Sequence, residues 1–298
     1  MTSTIATNMG AVRAHNVFEQ NNAKMAKAMD HATTGLRINS AQEGAANWAI
    51  SERMRERVNS LNQAQQNTQN DTAMLKTAEG GIANTVDLLR TSKALVLQAV
   101  DASANDNDRD ALAAQLKQVL EQISDNANNT KYNGKVLIAP VDDDGSDTEV
   151  SDSSSANTIE LNFQVGDSSG AVISGIQLEN MTLAGLSLDG VASAITDAGS
   201  YFRGTDGSAL LDTLDEALTT ALNAATDVGA YEQRLGFTAD NLSTQIENLE
   251  ASDSTIRDAD MAKEIANYMK YNVLSQASQY MLAQSNQNAF SVLNLLQA

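Results

Sequence analysis

Apolar residues follow a helical spacing in the first part of the chain. Phe18, Met25, Met29, Ala32 and Leu36 lie 7, 4, 3 and 4 residues apart. This spacing places their side chains along one face of a helix. The pattern predicts a helical segment over residues 1–40 that is interrupted near Gly35.

Two further helices are predicted in the first half of the chain. The second covers about residues 45–77 and continues, past a Gly-Gly pair, into an apolar stretch over residues 82–100. The third covers about residues 108–126, and Asn105 or Asp106 can cap its start. Such side chains accept hydrogen bonds from the free amides of a first helical turn.

The clearest periodic signal lies near the carboxyl end. Five apolar residues recur every seven positions: Val228, Leu235, Leu242, Leu249 and Ile256. A strict seven-residue repeat needs a partner helix to bury it. The last segment, residues 261–298, is apolar over a broad arc that includes Leu274, Met281, Leu282, Leu293 and Leu296. The partner helices can belong to one chain, as in an ordinary bundle core, or to neighbouring copies in a polymer.

The middle of the chain is polar and contains the predicted β-structure. Residues 141–158 are dense in Asp, Ser and Gly and predict an exposed acidic loop. Residues 159–165 alternate as a strand, and residues 171–178 supply its return strand after a GDSSG turn. A short helix around residues 191–197 and a longer one over residues 208–226 follow. The predicted fold class is mainly α: a long antiparallel helical bundle or coiled coil formed by the N- and C-terminal arms, with a small β-hairpin region.

Charge is distributed unevenly along the chain. The net charge is −19, which disfavours nucleic acid and anionic membranes as partners because phosphate binding relies on Lys and Arg. Residues 1–50 carry four basic and three acidic side chains, and residues 255–298 carry three of each. The other 12 basic and 32 acidic side chains lie between these ends. Nearly neutral ends can approach other copies without repulsion, so the asymmetry favours assembly through the ends.

The residue types that carry most enzyme chemistry are scarce or unpaired. The chain has no cysteine, and its two histidines, His15 and His31, lie 16 residues apart, without the spacing of a helical metal site. The acidic run at residues 142–147 favours a solvated loop over a calcium loop, since aligning its glycine would put Pro140 at the first ligand position. The sequence has no phosphate-loop, zinc-protease or hydrolase motif. We therefore expect no catalytic residue, no cofactor and no metal, and a chain that is not an enzyme.

Several motifs, in order along the chain, resemble one family. Residues 35–50 read GLRINSAQEGAANWAI, and residues 132–135 read YNGK. Nearer the carboxyl end the sequence reads IRDADMAKE at 256–264, LSQASQYMLAQSNQ at 274–287 and VLNLL at 292–296. Together these motifs resemble bacterial flagellins of a short form, without the large outer domains of longer members.

The resemblance implies a structural subunit that polymerises into the flagellar filament and serves swimming motility. Residues 1–45 and 255–298 are expected to form the inner, tube-lining domain, and residues 46–254 the outer-shell helical domain, with the β-hairpin near residues 159–178. Residues 141–158 would remain an exposed loop. The implied partners are further copies of the chain, an export chaperone at the C-terminal helix, and the filament cap and hook-associated proteins. The resemblance also implies secretion through the flagellar type III apparatus to an extracellular filament.

Assembly residues are expected on the apolar stripes and beside the predicted helix break. They are Phe18, Met25, Met29, Leu36, Arg37, Asn39, Val228, Leu235, Leu242, Leu249, Ile256, Leu274, Met281, Leu282, Leu293 and Leu296. Arg37 and Asn39 are expected to form hydrogen bonds across the bend between the two domains. In many flagellins an innate immune receptor binds an arginine, a leucine and a glutamate. Arg90 matches the arginine, whereas Ala94 and Gln115 replace the other two.

Two alternatives stay open within this interpretation. A hook–filament junction protein of the same superfamily shares the terminal helices, although the LAQSNQ and VLNLL sequences near the end favour the filament subunit. An adhesin-like binding role for the acidic loop is the second alternative.

Overall fold

The computed structural model describes residues 8–101, 104–140, 158–168, 170–194 and 206–297. Within these residues the elements are α1 (Met9–Thr34), α2 (Ala41–Val100), α3 (Asp106–Asn129), β1 (Lys131–Tyr132), β2 (Lys135–Val136), β3 (Thr158–Gln164), β4 (Val172–Glu179), α4 (Asp189–Ala194), α5 (Asp206–Arg257) and α6 (Met261–Gln297). The mainly α fold class with a small β-hairpin region is confirmed. The predicted acidic loop lies outside the described residues, apart from Thr158.

Local capping explains where two of the helices begin and end. The Asn105 side chain accepts a hydrogen bond from the Asp108 amide at 2.9 Å, and the Asp108 carboxylate accepts one from the Asn105 amide at 3.4 Å. This reciprocal pair is a capping box, and it fixes the start of α3. At the end of α1, Gly35 adopts a left-handed conformation with φ of 71°, and its amide donates to the His31 carbonyl at 2.9 Å. The helix break predicted near Gly35 therefore has the geometry of a glycine C-cap.

The chain divides into two compact units. The terminal unit consists of Met1–Val58 together with Glu247–Ala298, and the central unit consists of Asn59–Ile246. Helices α2 and α5 contribute residues to both units. The division predicted at residues 45 and 255 concerns the shells of a polymer, which a single chain does not test, so it stays a prediction.

The central unit has an apolar core formed by α2, α3, α5 and the β3–β4 hairpin. Its fully buried side chains include Leu75, Ile82, Leu89, Leu116, Leu120, Ile123, Ile138, Ile176, Leu178 and Met181. Val228 and Leu235 of the seven-residue repeat belong to this core, and Leu242 is 3% exposed. The chain itself therefore buries these three positions. The remaining two, Leu249 and Ile256, are half-buried in the terminal unit.

Two antiparallel hairpins complete the central unit. In β3 and β4, Leu161 pairs with Ile176 and Phe163 pairs with Ile173, with an irregularity between them. Leu161 and Phe163 are buried and alternate with exposed residues, as a strand with one covered face requires. The β1–β2 hairpin turns at Asn133 and Gly134, whose φ values are 50° and 82°. Positive φ at both central positions is the geometry that favours Asn-Gly in tight hairpins.

Candidate assembly surface

Polar side chains line the contact between α1 and α6 in the terminal unit. The Asn21 side-chain amide donates to the Ser278 hydroxyl at 3.2 Å, and the Ser275 hydroxyl donates to the Asn22 side-chain carbonyl at 2.7 Å. Asn21, Ser275 and Ser278 are 8%, 6% and 7% exposed, respectively. Because buried polar groups must keep hydrogen-bond partners, these contacts fix how the two helices pair.

Large apolar side chains lie on the exposed faces of the same two helices. On α1 they are Met9, Val12, Val17 and Met29. On α6 they are Met261, Ile265, Met269, Val273, Leu274, Tyr280 and Met281. We call this set the terminal apolar surface. Burying Asn and Ser while exposing Met, Val and Leu reverses the usual arrangement of a monomeric protein, and exposed apolar surface of this kind marks interaction sites.

The predicted assembly residues fall into several groups in the structure. Met29, Leu274 and Met281 are exposed on the terminal apolar surface. Half-buried positions in the same unit are Phe18, Met25, Leu36 and Leu282. Val228, Leu235 and Leu242 are buried in the central unit. Leu293 and Leu296 lie in α6, but their side chains are outside the described residues. Their assembly roles stay a prediction, and the exposed group is the one available to a partner.

The loop after α1 is hydrogen-bonded to the segment between α5 and α6. The Gly35 carbonyl accepts from the Ala259 amide at 2.9 Å, and the Arg37 amide donates to the Arg257 carbonyl at 2.7 Å. The Arg37 guanidinium also donates to the Ile256 carbonyl. Leu36 and Asp258 form an isolated antiparallel bridge. Backbone hydrogen bonds thus join the α1–α2 loop to the segment between α5 and α6. Arg37 contributes both its main-chain amide and its side chain to this junction.

A charged cluster lies beside this junction, with Glu43 at its centre. The Glu43 carboxylate lies 2.9 Å from His31 Nε2 and 3.0 Å from Lys27 Nζ, and it accepts a hydrogen bond from the Asn39 amide at 2.8 Å. His31 Nδ1 lies 3.8 Å from Glu264 Oε2 on α6. Burial by itself would raise the pKa of Glu43, but the hydrogen bonds from Asn39, His31 and Lys27 and the charge of His31 lower it to about 2. The cluster therefore connects α1, the start of α2 and the start of α6.

A buried arginine forms a second polar contact in the terminal unit. Arg257 is 9% exposed, and its Nη1 donates to the Glu52 carboxylate at 2.7 Å and to the Ser51 hydroxyl at 3.4 Å. Sequence reasoning missed Arg257, Glu52 and the Glu43 cluster as interacting groups. Their partners lie far apart along the chain, and no spacing rule connects them. The one signal was that Glu43 and Arg257 both lie inside the motifs that carry the family resemblance.

Arg90 lies on α2 in the central unit, and 61% of its side chain is exposed. Its guanidinium donates to Asp87 at 3.0 Å.

Among the residues that the structure describes, no group of three His, Cys, Asp or Glu side chains is placed to hold a metal ion. No described helix is both long enough and apolar enough to span a membrane.

Family models match both ends of the chain. The model of the bacterial flagellin N-terminal helical region matches residues 5–143, and that of the bacterial flagellin C-terminal helical region matches residues 211–296. The chain is also similar to a structure described as a flagellar hook-associated protein from Vibrio parahaemolyticus, with a TM-score of 0.57 and 16% identity over 72% of this chain and 100% of that chain. At that identity the likeness concerns the fold alone.

Curated relatives align along nearly the full length of the chain. A flagellin of Bacillus subtilis (strain 168) is 35% identical, with 97% of this chain and 98% of the relative covered. A flagellin of Halalkalibacterium halodurans is 35% identical at the same coverage of both chains. The flagellar filament 30.7 kDa core protein of Treponema maltophilum is 30% identical, again with 97% and 98% covered. With both family models matched and relatives of this identity covering 97% of its length, the chain belongs to the bacterial flagellin family.

Proposed function

We propose that the terminal apolar surface is the face through which this flagellin packs against neighbouring copies in the flagellar filament. The chain is a structural subunit of that filament, as its flagellin and filament-core relatives are. The observation that supports the proposed surface is the reversed polarity of the α1–α6 pair, which buries Asn21 and Ser278 and leaves Val273 65% exposed. Fully burying a side chain of this size contributes about 1.5–3 kcal/mol, so a polymer gains from covering many of them.

The distribution of charge along the chain also supports the terminal apolar surface as the contact between copies. Residues 1–50 and 255–298 together carry seven basic and six acidic side chains, whereas the rest of the chain carries 12 basic and 32 acidic ones. Copies that meet through the ends bring nearly balanced charges together. Copies that meet through the acidic remainder would repel each other. We therefore propose that residues 1–45 with 255–298 line the tube and that residues 46–254 form the outer shell, which a density map of the filament would test.

A pair of variants tests the surface. Val273→Glu puts a charge on the terminal apolar surface, and Gln122→Glu puts the same charge at an exposed polar position of α3 in the central unit. We expect Val273→Glu to raise the critical concentration for polymerisation by at least about tenfold, equivalent to about 1.4 kcal/mol, because the charge would be desolvated at the contact. Gln122→Glu should change it much less. Sedimentation of seeded polymers measures the effect, and circular dichroism checks the fold.

The surface proposal fails if Val273→Glu polymerises at the same critical concentration as the unmodified chain. It also fails if both variants are inhibited equally, since general repulsion from the added charge would then account for the loss.

We infer that the chain acts without catalysis, since the flagellin family is a family of structural proteins. The central unit has a pocket of about 590 Å³ beside Leu61, Phe237 and Leu242. Among its described lining residues the titratable groups are Asp167 and Arg234. A carboxylate and a guanidinium do not make the acid–base pair that proton transfer near neutral pH uses.

We propose that an export chaperone covers α6 before assembly and that the subunit is exported through the flagellar type III apparatus. Met269, Val273 and Met281 are 62%, 65% and 68% exposed in the single chain, so a free subunit would present them to water. The filament cap and hook-associated proteins would meet the same surface at the filament ends. A chaperone complex should protect the amides of α6 from hydrogen exchange more than those of α3, and equal protection would contradict the proposal.

A further inference from the structure

The described methionines of the chain differ in solvent exposure, and the exposed ones lie on two helices. The chain has ten, and nine of them lie in the described residues. Five are exposed by between 41% and 68%: Met9, Met29, Met261, Met269 and Met281. All five lie on α1 or α6 and belong to the terminal apolar surface. Of the remaining described methionines, Met181 is fully buried and Met25, Met54 and Met74 are half-buried.

We propose that these five methionines form a reversible, redox-sensitive modification site at which oxidation to the sulfoxide switches off polymerisation. The inference rests on the proposed function, because it assigns a regulation to the same surface. The oxidant is of the peroxide class. Since the chain has no cysteine, no thiol competes with the thioethers for it.

The reaction balances with hydrogen peroxide alone. The sulfur lone pair attacks one peroxide oxygen, so that an S–O bond forms while the O–O bond breaks. The hydroxyl proton on the new S–O group passes to the departing hydroxide, which leaves as water. Sulfur is oxidised by two electrons, and peroxide is reduced by two. Methionine sulfoxide reductases reverse the change, so the site can return to its first state.

Oxidation acts on the contact between copies while sparing the subunit. Methionine is flexible and apolar and packs against irregular surfaces, whereas its sulfoxide is polar and leaves a desolvated oxygen without a partner at an apolar contact. Neighbours of the exposed sulfurs on α6, such as Ile265 and Val273, offer no hydrogen bond from their side chains. By contrast, the α1–α6 pair is joined through Asn21 and Ser278, whose hydrogen bond involves no sulfur. The oxidised subunit is therefore expected to stay folded and unpolymerised.

The test compares subunits before and after treatment with hydrogen peroxide. Peptide mass spectrometry should find sulfoxide at Met9, Met29, Met261, Met269 and Met281 well before Met181. The critical concentration for polymerisation should rise at least about tenfold, and treatment with methionine sulfoxide reductases should restore it. Circular dichroism should show the same helix content throughout.

Two variants separate the five sites from the rest of the chain. Replacing the five exposed methionines by leucine, which conserves volume and apolar character, should give a subunit that polymerises and is insensitive to peroxide. Replacing Met54 and Met74 by leucine should leave the sensitivity intact. If the fivefold variant folds without polymerising, the reductase comparison on the unmodified chain decides the question.

The outcomes also separate this inference from the proposed function. Oxidised subunits that polymerise at the original critical concentration would overturn the redox switch and leave the proposed assembly surface standing. Polymerised subunits whose five methionines oxidise as fast as those of free subunits would overturn the proposed surface, since the contact would not be covering them.

Discussion

At the scale of single residues, Glu43 holds three groups of the terminal unit together. Its carboxylate meets His31, Lys27 and the Asn39 amide, and its side chain is 15% exposed. The pKa of Glu43 falls from 4.5 to about 2 because these hydrogen bonds outweigh the effect of burial. Nothing in the spacing of charged residues predicted this cluster, since Glu264, which lies close to His31, is far away in the sequence.

Glu43→Gln should destabilise the terminal unit at neutral pH. A folded pKa below the ordinary value means that the ionised carboxylate favours folding, so its contribution is complete above pH 4.5 and is lost as the pH falls toward 2. We expect a loss of about 1 kcal/mol at pH 7, well below the full value of the shift, because water screens the exposed Lys27 partner. Trp48, the only tryptophan, lies on α2 in the same unit and reports urea unfolding by fluorescence.

Glu250→Gln is the matched control for this variant, because Glu250 is an exposed carboxylate of the same unit. It should unfold like the unmodified chain at both pH 7 and pH 2.5. A Glu43→Gln protein as stable as the control at pH 7 would contradict the proposed role of the cluster.

Asp71 is a half-buried carboxylate whose pKa shifts in the opposite direction from that of Glu43. Its Oδ2 atom is buried without a hydrogen-bond partner among the described residues, and burial raises the pKa of Asp71 from 3.8 to about 6. Burial also raises the pKa of Glu232, with Glu79 adding to the effect and Lys76 opposing it. Both groups bind a proton more tightly in the folded chain, so the stability they provide falls as the pH rises from their ordinary pKa values through their folded ones, above which it is lost.

Asp71→Asn should therefore stabilise the central unit at pH 7.5, where the native carboxylate is ionised and desolvated. We expect a gain of about 1 kcal/mol, less than the full shift implies because the site is partly screened by water, and almost no gain at pH 4. Urea unfolding followed by circular dichroism at the two pH values measures it. Asp125→Asn, at an exposed position of α3, should show no such dependence on pH. An Asp71→Asn gain of the same size at pH 4 would exclude the ionisation as its cause.

At the scale of elements, α2 passes through Gly80 and Gly81 without a break. A pair of glycines usually weakens a helix, but here the second one sits where another segment approaches closely. A Cβ atom at Gly81 would lie 2.6 Å from Thr130 Oγ1 and 2.8 Å from Ile138 Cδ1, whereas nothing lies within 4 Å of a Cβ at Gly80. The sequence predicted a helix on both sides of this pair. Only the packing shows why a residue without a side chain is needed at Gly81.

These neighbouring glycines make a matched pair of variants. Gly81→Ala should destabilise the central unit by about 1–3 kcal/mol, because the added methyl group overpacks the site. Gly80→Ala should stabilise it by about 0.5 kcal/mol, because alanine restricts the unfolded chain and meets no obstacle in the helix. Urea unfolding followed by circular dichroism gives both values. Two variants of equal stability would show that Thr130 and Ile138 move aside at little cost.

The boundaries of several elements could be predicted from the sequence. The strands were expected at residues 159–165 and 171–178 and are found at Thr158–Gln164 and Val172–Glu179. The β1–β2 hairpin was missed because its strands are two residues long, although Asn133 and Gly134 are a strong turn signal. The helix predicted over residues 208–226 and the seven-residue repeat after it form one continuous helix, α5.

At the scale of the whole molecule, periodicity predicted apolar arms at both ends but could not show which part of each arc faces the partner helix. A hydrophobic pattern assigns Met and Leu to the contact between helices. In the terminal unit the buried positions of these helices include Asn21, Ser275 and Ser278, whereas Met25 and Leu282 are half-buried and Met29 and Met281 stay exposed. The polar hydrogen bonds therefore fix how α1 pairs with α6 and leave the exposed apolar side chains of both helices available to neighbouring copies.

Removal of residues 281–298 tests whether assembly and the fold of the central unit are separable. The truncation deletes Met281 from the terminal apolar surface and Ser285, whose carbonyl accepts a hydrogen bond from the Asn8 side chain at 3.1 Å. It leaves the core of Asn59–Ile246 complete. We expect no filaments by electron microscopy, and a free energy of unfolding for the central unit that changes by less than about 0.5 kcal/mol. Full-length Gln122→Glu serves as the control that polymerises. Normal filaments from the truncated chain would mean that the end of α6 is dispensable, and loss of the central unit would mean that the two units fold as one.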